Sequence, residues 1–235
     1  MLLSPQRHDR RDRRQRLSRG RAAACRGTAG GLARRDRSRG GAGTARCVDG
    51  PSAGRFGPDA DRHCAAPAVP YADPDYYAAW AVAGVLGGGS SARLFTEVRE
   101  RRGLCYSVYA THNTLLTEGR LLIYAGTTAE RAQETLDVIL HELRRLPEGI
   151  GDDELERCKA RAKSALVMQQ ESTSARAGAI ARDWFHLGRI VTLEEIHARI
   201  NELTVERLLD YLHAHPPSDP TILTMGREPL SYREQ

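Results

Sequence analysis

The sequence has 235 residues and a formal net charge of +5, from 35 Lys and Arg against 30 Asp and Glu. This length accommodates one large domain, or one ordinary domain with an appendage. No apolar run reaches about 18 residues, and residues 1–7 have no apolar core, so neither a membrane span nor a signal peptide is visible. The cytoplasm is therefore the default expectation for the compartment.

The first 66 residues differ in composition from the rest of the chain. They are rich in Arg, Gly and Ala, contain neither Glu nor Lys, and have Phe56 as their only aromatic residue. Such a stretch buries too little apolar surface to offset an ordering cost of roughly 1–2 kcal/mol per residue. We therefore expect residues 1–66 to be disordered and residues 67–235 to form the folded domain. A shifted reading frame or a wrong start in a GC-rich gene also produces this mixture of residues.

The positive charge belongs to the N-terminal segment, with Arg-rich runs at residues 10–16 and 34–39, whereas the remainder of the chain is acidic. A basic arm of this kind could bind nucleic acid by counterion release. It lacks the interleaved aromatic residues that stack on bases, so nucleic acid is not the favoured partner.

The predicted elements begin with two helices. Asp73 is a suitable N-cap and Pro74 suits the first helical position, so a helix should start there and stop at the glycines of residues 87–89. A serine of the pair at 90–91 would cap a second helix, which ends near Gly103.

Strands and further helices follow. Residues 104–112 and 119–125 are predicted strands joined by a hairpin connection. The alternation in the first of them predicts one face with Tyr106, Val108 and Ala110 and the other with Cys105, Ser107 and Tyr109. Helices are then predicted over residues 129–146, 152–170, 174–187, 193–200 and 205–213, with a last strand over residues 221–225.

A strand pair, several helices and a returning strand predict an α+β domain, in which helices pack on one face of a mostly antiparallel sheet.

Five cysteines are present, without a C-x-x-C pair, and three of them lie in the first 66 residues. This spacing is neither a disulfide framework nor a zinc-cysteine module, and it is compatible with a reducing compartment. Cys105 is expected to be a small buried apolar residue rather than a nucleophile, because no His or other base adjoins it.

A long motif occupies residues 86–110, LGGGSSARLFTEVRERRGLCYSVYA, with PYADPDYY at residues 70–77 before it and AGT at residues 125–127 after it. This pattern resembles the second domain of insulinase-type (pitrilysin-type) zinc metallopeptidases, and looks most like their processing-peptidase branch. The resemblance covers about residues 69–228 and is far more specific than a short glycine motif.

The resemblance implies paired α/β domains, two per half, with two halves closing around a peptide chamber. One half of such an enzyme binds zinc through an H-x-x-E-H helix and a downstream Glu. The other half contributes an Arg and a Tyr, seven residues apart, that hold the substrate and support the transition state. In this sequence those positions fall on Arg99 and Tyr106, with Gly103 making the turn between them. Spacing alone fits a solvated helix Arg and a half-buried strand Tyr better, but the surrounding motif favours the substrate-binding interpretation.

The glycines admit two interpretations. Gly87, Gly88 and Gly89 could cradle a phosphate at a helix N-terminus, but no Lys-Ser/Thr pair follows them. A helix break that allows close backbone approach is the favoured interpretation, and these three glycines, with Gly103, are assigned as structural hinges.

Neither H-x-x-E-H nor H-E-x-x-H occurs among the eight histidines. His213 and His215 form a close pair at a helix end, where helix capping is the favoured role and adventitious metal binding the alternative. No metal ligands or cofactor are therefore expected in this chain. Zinc is implied for the full-length family enzyme, whose zinc domain would precede residue 69.

Together these features predict a peptide-binding, non-zinc domain that does not hydrolyse peptides alone. Its expected partners are a peptide or unfolded polypeptide and either a zinc-bearing half or a second copy of the chain, and not a membrane. The alternative is a non-catalytic binding or scaffold subunit of a processing-peptidase-like complex.

Overall fold

A computed structural model of the chain describes residues 59–218, 220–226 and 230, with side chains described from His63 onward. The expected disorder of residues 1–58 lies outside this part of the chain. The strands are β1 (Asp59–Ala68), β2 (Cys105–Thr114), β3 (Gly119–Thr128) and β4 (Thr221–Met225). The α-helices are α1 (Tyr76–Gly87), α2 (Ala132–Arg145), α3 (Asp152–Glu171), α4 (Thr173–Leu187), α5 (Leu193–Asn201) and α6 (Val205–Ala214), with a π-helix at Phe95–Glu100 and 3-10 turns at Ala129–Arg131 and Leu146–Glu148.

The four strands form one antiparallel sheet in the order β2-β3-β1-β4. A tight hairpin joins β2 to β3, with the Leu115 N–H donating to the Glu118 carbonyl at 2.7 Å. The helices cover one face of this sheet, where Val108, Ile123 and Ala125 are buried. The α+β prediction, with helices on one face of an antiparallel sheet, is confirmed.

Strand β1 begins before the expected start of the folded domain. The boundary between residues 66 and 67 falls inside it, so the structured region reaches back at least to Asp59. The strand lies between β3 and β4, and ladders on both sides compensate for its small, weakly strand-forming residues. Strand β4 pairs only with residues 61–65, so Pro67 lies where β1 has a neighbour on one side alone.

The core lies between this face of the sheet and two helices. Helix α1 is apolar on most sides and buries Val82, Val85 and Leu86. Helix α2 is amphipathic and buries a stripe at three- and four-residue steps that includes Leu136 and Ile139. These helices hold the buried side of the strands in place.

Side-chain caps mark the starts of three later helices. Ser172, Thr192 and Thr204 each accept a hydrogen bond from the backbone N–H three residues ahead, at 3.2 Å. Helix α1 starts at Tyr76, later than predicted, because the Asp73 carboxylate accepts the Asp75 N–H at 2.8 Å in the turn before the helix. None of the helices in the described ranges combines the length and hydropathy needed to cross a bilayer.

Candidate functional site

The segment that carries Arg99 is a π-helix, in which the Arg101 N–H donates to the Thr96 carbonyl five residues back at 2.9 Å. Leu94 and Val98 are fully buried and fix this segment against the core. The Arg99 side chain is exposed, and its guanidinium lies 4.9 Å from the centre of the Phe95 ring. The segment therefore presents a guanidinium to solvent from a rigid base.

Gly103 ends this segment in the left-handed region, with φ of 61°. Its N–H donates to the Arg99 carbonyl at 3.1 Å, and the Leu104 N–H donates to the Val98 carbonyl at 2.9 Å. The Gly103 carbonyl in turn accepts from Arg131. Hydrogen bonds thus join the turn to the preceding helix and to Arg131, and they fix the direction in which β2 leaves the turn.

Tyr106 is the extra residue of a β-bulge. Cys105 pairs with Thr127 and Ser107 with Gly126, so Tyr106 has no partner of its own on β3. Its ring lies over Gly126, where an added Cβ would come within 2.6 Å of Tyr106 Cζ and Oη. The side chain is 54% exposed. The bulge therefore directs the phenol away from the core.

The bulge also corrects the predicted faces of β2. Cys105 lies on the buried face together with Val108 and Ala110, whereas Tyr106 lies on the open face with Tyr109. The prediction grouped Tyr106 with Val108 and Ala110, and Cys105 with Tyr109, so it was wrong for both residues. Simple alternation does not account for an inserted residue.

Cys105 is buried, as expected. Burial raises the pKa of its thiol, and the nearby Arg99 guanidinium opposes that rise. The bond from the Gly103 N–H to the Arg99 carbonyl holds the Arg99 backbone near the start of β2. Arg99 and Tyr106 are therefore both exposed on either side of one fixed turn, although among the described residues neither side chain hydrogen-bonds to the other.

The other arginines of this segment are neutralised locally. Arg101 and Arg102 both pair with the Glu97 carboxylate, and Arg102 also donates to the Glu97 carbonyl at 2.8 Å. Arg99 has no carboxylate partner among the residues that the structure describes. It is thus a guanidinium with its donors available to a ligand.

The glycines after α1 allow close packing. Gly87 is buried at the end of the helix, and an added Cβ there would overlap the Ala110 backbone of β2. At Gly88 an added Cβ would meet Gly84 and Arg161, whereas Gly89 has only ordinary contacts nearby. This geometry favours the predicted close approach of helix and strand, and the hinge role assigned to these glycines stays a prediction.

Sequence reasoning missed a row of rings on the open face of the sheet. Tyr109 stacks on Tyr124 with ring centres 5.2 Å apart, and Tyr124 meets His63 edge-on at 5.1 Å. The strand register aligns these three residues with Leu223. The period-two spacing of Tyr124 in β3 was a usable signal, but His63 belongs to the strand that was not predicted.

The described residues do not fit a zinc site. Within the described ranges no group of three or more His, Cys, Asp or Glu side chains is placed to hold a metal ion. His213 and His215 lie at the end of α6, where His215 packs against the Tyr211 ring with centres 5.2 Å apart. Within the described ranges these two histidines belong to no group that could hold a metal ion.

A groove of about 430 Å³ lies between helices α1, α3, α4 and α5. Beside it, the buried Asp183 carboxylate accepts the Tyr71 hydroxyl at 2.7 Å and the Val191 N–H at 3.2 Å. Burial, together with the bond to Asp183, raises the pKa of the Tyr71 hydroxyl. Each carboxylate oxygen of Asp183 accepts one bond from within the protein, so this cluster ties Tyr71 and the loop after α4 to that helix.

Residues 56–162 match the family model described as the peptidase M16 inactive domain. The uncharacterized zinc protease YmxG of Bacillus subtilis strain 168 is 39% identical over 125 residues, which cover 53% of this chain and 31% of that protein. An uncharacterized zinc protease of Mycobacterium tuberculosis strain H37Rv is 35% identical over 124 residues, covering 52% of this chain and 28% of that protein. The chain thus spans about a third of the length of the curated relatives it matches.

Solved structures share the fold. A peptidase M16 inactive domain from Pseudomonas fluorescens superposes with a TM-score of 0.65 and 26% identity, over 74% of this chain and 42% of that chain. A protease from Helicobacter pylori gives a TM-score of 0.64 with 21% identity, over 74% and 42% of the two chains, which shows the fold alone. Residues 56–162 therefore match the peptidase M16 inactive domain, and sequence and fold both support the C-terminal insulinase-type domain that the motif at residues 86–110 predicted.

Proposed function

We propose that this domain binds extended polypeptide segments through Arg99 and Tyr106, as the non-zinc domain of an M16-type peptidase. The observation that carries the proposal is the bulge, which leaves the Tyr106 phenol exposed over Gly126 beside the turn that holds Arg99. Both groups lie on backbone fixed by hydrogen bonds and buried residues, so the backbone needs little ordering when a ligand binds.

The chemistry of these groups suits a peptide backbone. A guanidinium offers five N–H donors in a planar arrangement, and a phenol offers one O–H donor. An extended peptide presents carbonyl oxygens along its length, and it lacks internal partners for them. Arg99, which has no carboxylate partner among the described residues, is therefore suited to donate hydrogen bonds to carbonyls or a carboxylate of the ligand.

Hydrolysis is assigned to a zinc-bearing half, in another chain or another part of the full protein. The described residues supply no suitable set of metal ligands, and the relatives that are named zinc proteases are about three times as long as the matched region. The proposed domain division is one substrate-binding domain that includes β1 from Asp59 onward, preceded by an Arg-rich segment.

The test is a binding titration. The intact chain is titrated into a fluorescein-labelled unstructured 12-residue peptide, and anisotropy is followed for Arg99→Ala and Tyr106→Ala. Arg99→Ala should raise the Kd about ten-fold or more, since a hydrogen bond to a charged group is worth roughly 1.5–3 kcal/mol. Tyr106→Ala should raise it about two-fold or more, since a neutral hydrogen bond is worth roughly 0.5–1.5 kcal/mol. Arg101→Ala is the matched control, because Arg101 is exposed in the same segment but paired with Glu97.

A wild-type chain that binds no unstructured peptide would refute the proposal, as would equal losses in all three variants. With a purified zinc-bearing half from a relative, restored cleavage that is insensitive to Arg99→Ala and Tyr106→Phe would remove these residues from the reaction while leaving the family assignment intact.

The second candidate is a scaffold subunit that holds other chains together. Its support is the exposed apolar surface of α3 and α4, where Met168, Trp184 and Phe185 are 71%, 65% and 67% exposed. Sedimentation velocity separates the two candidates. A stable oligomer that dissociates on Trp184→Ser and Phe185→Ser, with no peptide binding, would favour the scaffold.

A further inference from the structure

The open face of the sheet carries a row of side chains that crosses all four strands. Tyr109, Tyr124, His63 and Leu223 occupy aligned positions on β2, β3, β1 and β4. Tyr109 and Leu223 are 47% and 40% exposed. We call these four residues the aromatic row.

The rings of the row support one another. Tyr109 and Tyr124 are stacked with an interplanar angle of 30°, and His63 meets Tyr124 edge-on at 62°. Rings held in this way lose little conformational freedom on contact with a ligand, and exposed aromatic surface is a strong source of binding energy. Tyr106 lies two strand positions from the row on the same face, beside Gly126.

From this geometry we infer that the aromatic row is a specificity surface of the peptide site, selecting extended segments with aromatic or large aliphatic side chains at alternate positions i and i+2. The inference rests on the proposed peptide binding at Arg99 and Tyr106, and it adds the substrate class.

The dimensions explain the alternate spacing. Four strands about 4.8 Å apart give the row a length of roughly 14 Å. A strand-like peptide rises about 3.4 Å per residue, so roughly four residues cross the row and every second side chain points down onto it. Residues i and i+2 of the ligand would contact the rings, and residue i+1 would point to solvent.

The charges around the row favour a peptide over a polyanion. Arg101 and Arg102 share Glu97 at one end of the sheet, and Arg120 pairs with Glu118 at 2.7 Å at the other. Nucleic acid binding draws most of its affinity from several phosphate contacts. Arg99, which has no carboxylate partner among the described residues, suits one carbonyl or carboxylate rather than a run of phosphates.

The test uses three fluorescein-labelled decamers of Ser, Gly and Asn. One has Phe at positions i and i+2, its isomer has Phe at i and i+1, and the third has Ala at i and i+2. The wild-type chain should bind the first decamer at least five-fold more tightly than the other two. Tyr109→Thr, which keeps a strand-forming residue, and Leu223→Ser at the far end should each abolish that preference.

Trp184→Ala is the matched control, since it removes an exposed aromatic residue from helix α4 and should leave the preference unchanged. Far-UV circular dichroism checks that each variant is folded. Equal affinity for the two Phe isomers, or a preference that survives both row variants, would overturn the inference while peptide binding itself stands.

Weaker binding of every decamer by Arg99→Ala, with the ratio between the Phe isomers unchanged, supports both the proposed function and the inference. Absence of binding to every decamer refutes both. A single-stranded thymidine decamer that binds through Tyr109, while no peptide does, would also overturn the inference by assigning the row to nucleic acid.

Discussion

The Tyr106 ring covers Gly126 on the neighbouring strand, with Cζ and Oη within 2.6 Å of where a Cβ would lie. Glycine at position 126 thus provides the space that the exposed phenol occupies. The pairing links two parts of the motif that are 20 residues apart in sequence, the C-Y-S of β2 and the A-G-T of β3.

Gly126→Ala should therefore displace the Tyr106 ring without unfolding the protein. The clash involves the far end of a side chain that can rotate, so the expected loss of stability is below about 1 kcal/mol. Peptide affinity should fall to the level of Tyr106→Ala. Urea unfolding and anisotropy measure the two effects.

Gly87→Ala is the matched comparison, because there the new Cβ would meet the β2 backbone at Ala110, which cannot rotate away. Its expected cost is about 2 kcal/mol or more. Equal costs for the two substitutions would contradict this account.

Gly103→Ala should destabilise the domain by about 1–2 kcal/mol, since it forces an L-residue into the left-handed region at φ of 61°. No atom lies within 4 Å of the added Cβ, so the cost is conformational alone. Gly178→Ala, also without a neighbour within 4 Å but inside helix α4, should instead stabilise by about 0.5–1 kcal/mol. Thermal or urea unfolding compares the two, and a common sign would contradict the explanation.

Arg93 and Glu154 should give the domain an acid-sensitive contribution to stability. The guanidinium binds both carboxylate oxygens, at 2.7 and 2.6 Å, and also the Gly149 carbonyl at 2.7 Å. Although burial raises it, the pKa of Glu154 is lowered on balance by the bonds from Arg93 and the Gly151 N–H. A carboxyl with a lowered folded pKa stabilises the protein above its unfolded pKa, and this contribution is lost as pH falls through the folded value.

Glu154→Gln should consequently cost about 1–3 kcal/mol at neutral pH, since it leaves a half-buried guanidinium without its partner. The difference from wild type should shrink as the pH is lowered past the range in which Glu154 titrates. Asp153→Asn, which removes an exposed ion pair with Arg157, should have little effect at any pH. Unfolding curves at a series of pH values would show a constant difference if the bidentate pair were unimportant.

The three cysteines of the described region should resist alkylation in the native state. Burial raises the pKa of Cys64 to about 12 and also raises the pKa of the Cys105 and Cys158 thiols. Treatment with iodoacetamide at pH 8, followed by peptide mass mapping, should label them at least ten-fold more slowly than in urea. Rapid native labelling of Cys105 would show that the turn at Gly103 opens.

Much of the architecture was predictable from local patterns. Helix α2 follows from its apolar stripe, helix α3 from the acidic residues at its start, and the β2–β3 hairpin from alternation and its connection length. These elements carry their own periodicity, so a single sequence is sufficient to place them.

Strand β1 was not predictable in the same way. Its inward residues include Cys64 and Ala66, whose small side chains make the alternation faint, and its stability comes from two neighbouring strands far away in sequence. Because β1 could not be predicted, neither the position of His63 nor the complete aromatic row could be predicted. Arg99 and Tyr106 were assigned through the family motif, and their functional role stays a prediction.

The bulge at Tyr106 has a consequence for how much of β2 the fold itself requires. If Tyr106 were deleted, Ser107 would follow Cys105 directly, opposite Gly126, and the buried set of Cys105, Val108 and Ala110 would keep its partners on β3. The β2–β3 hydrogen-bond ladder would become regular, and the protein would lose only the solvent-facing ring of Tyr106. Shortening the strand by this one residue would therefore remove the proposed peptide contact of Tyr106 while the pairing of β2 with β3 is kept.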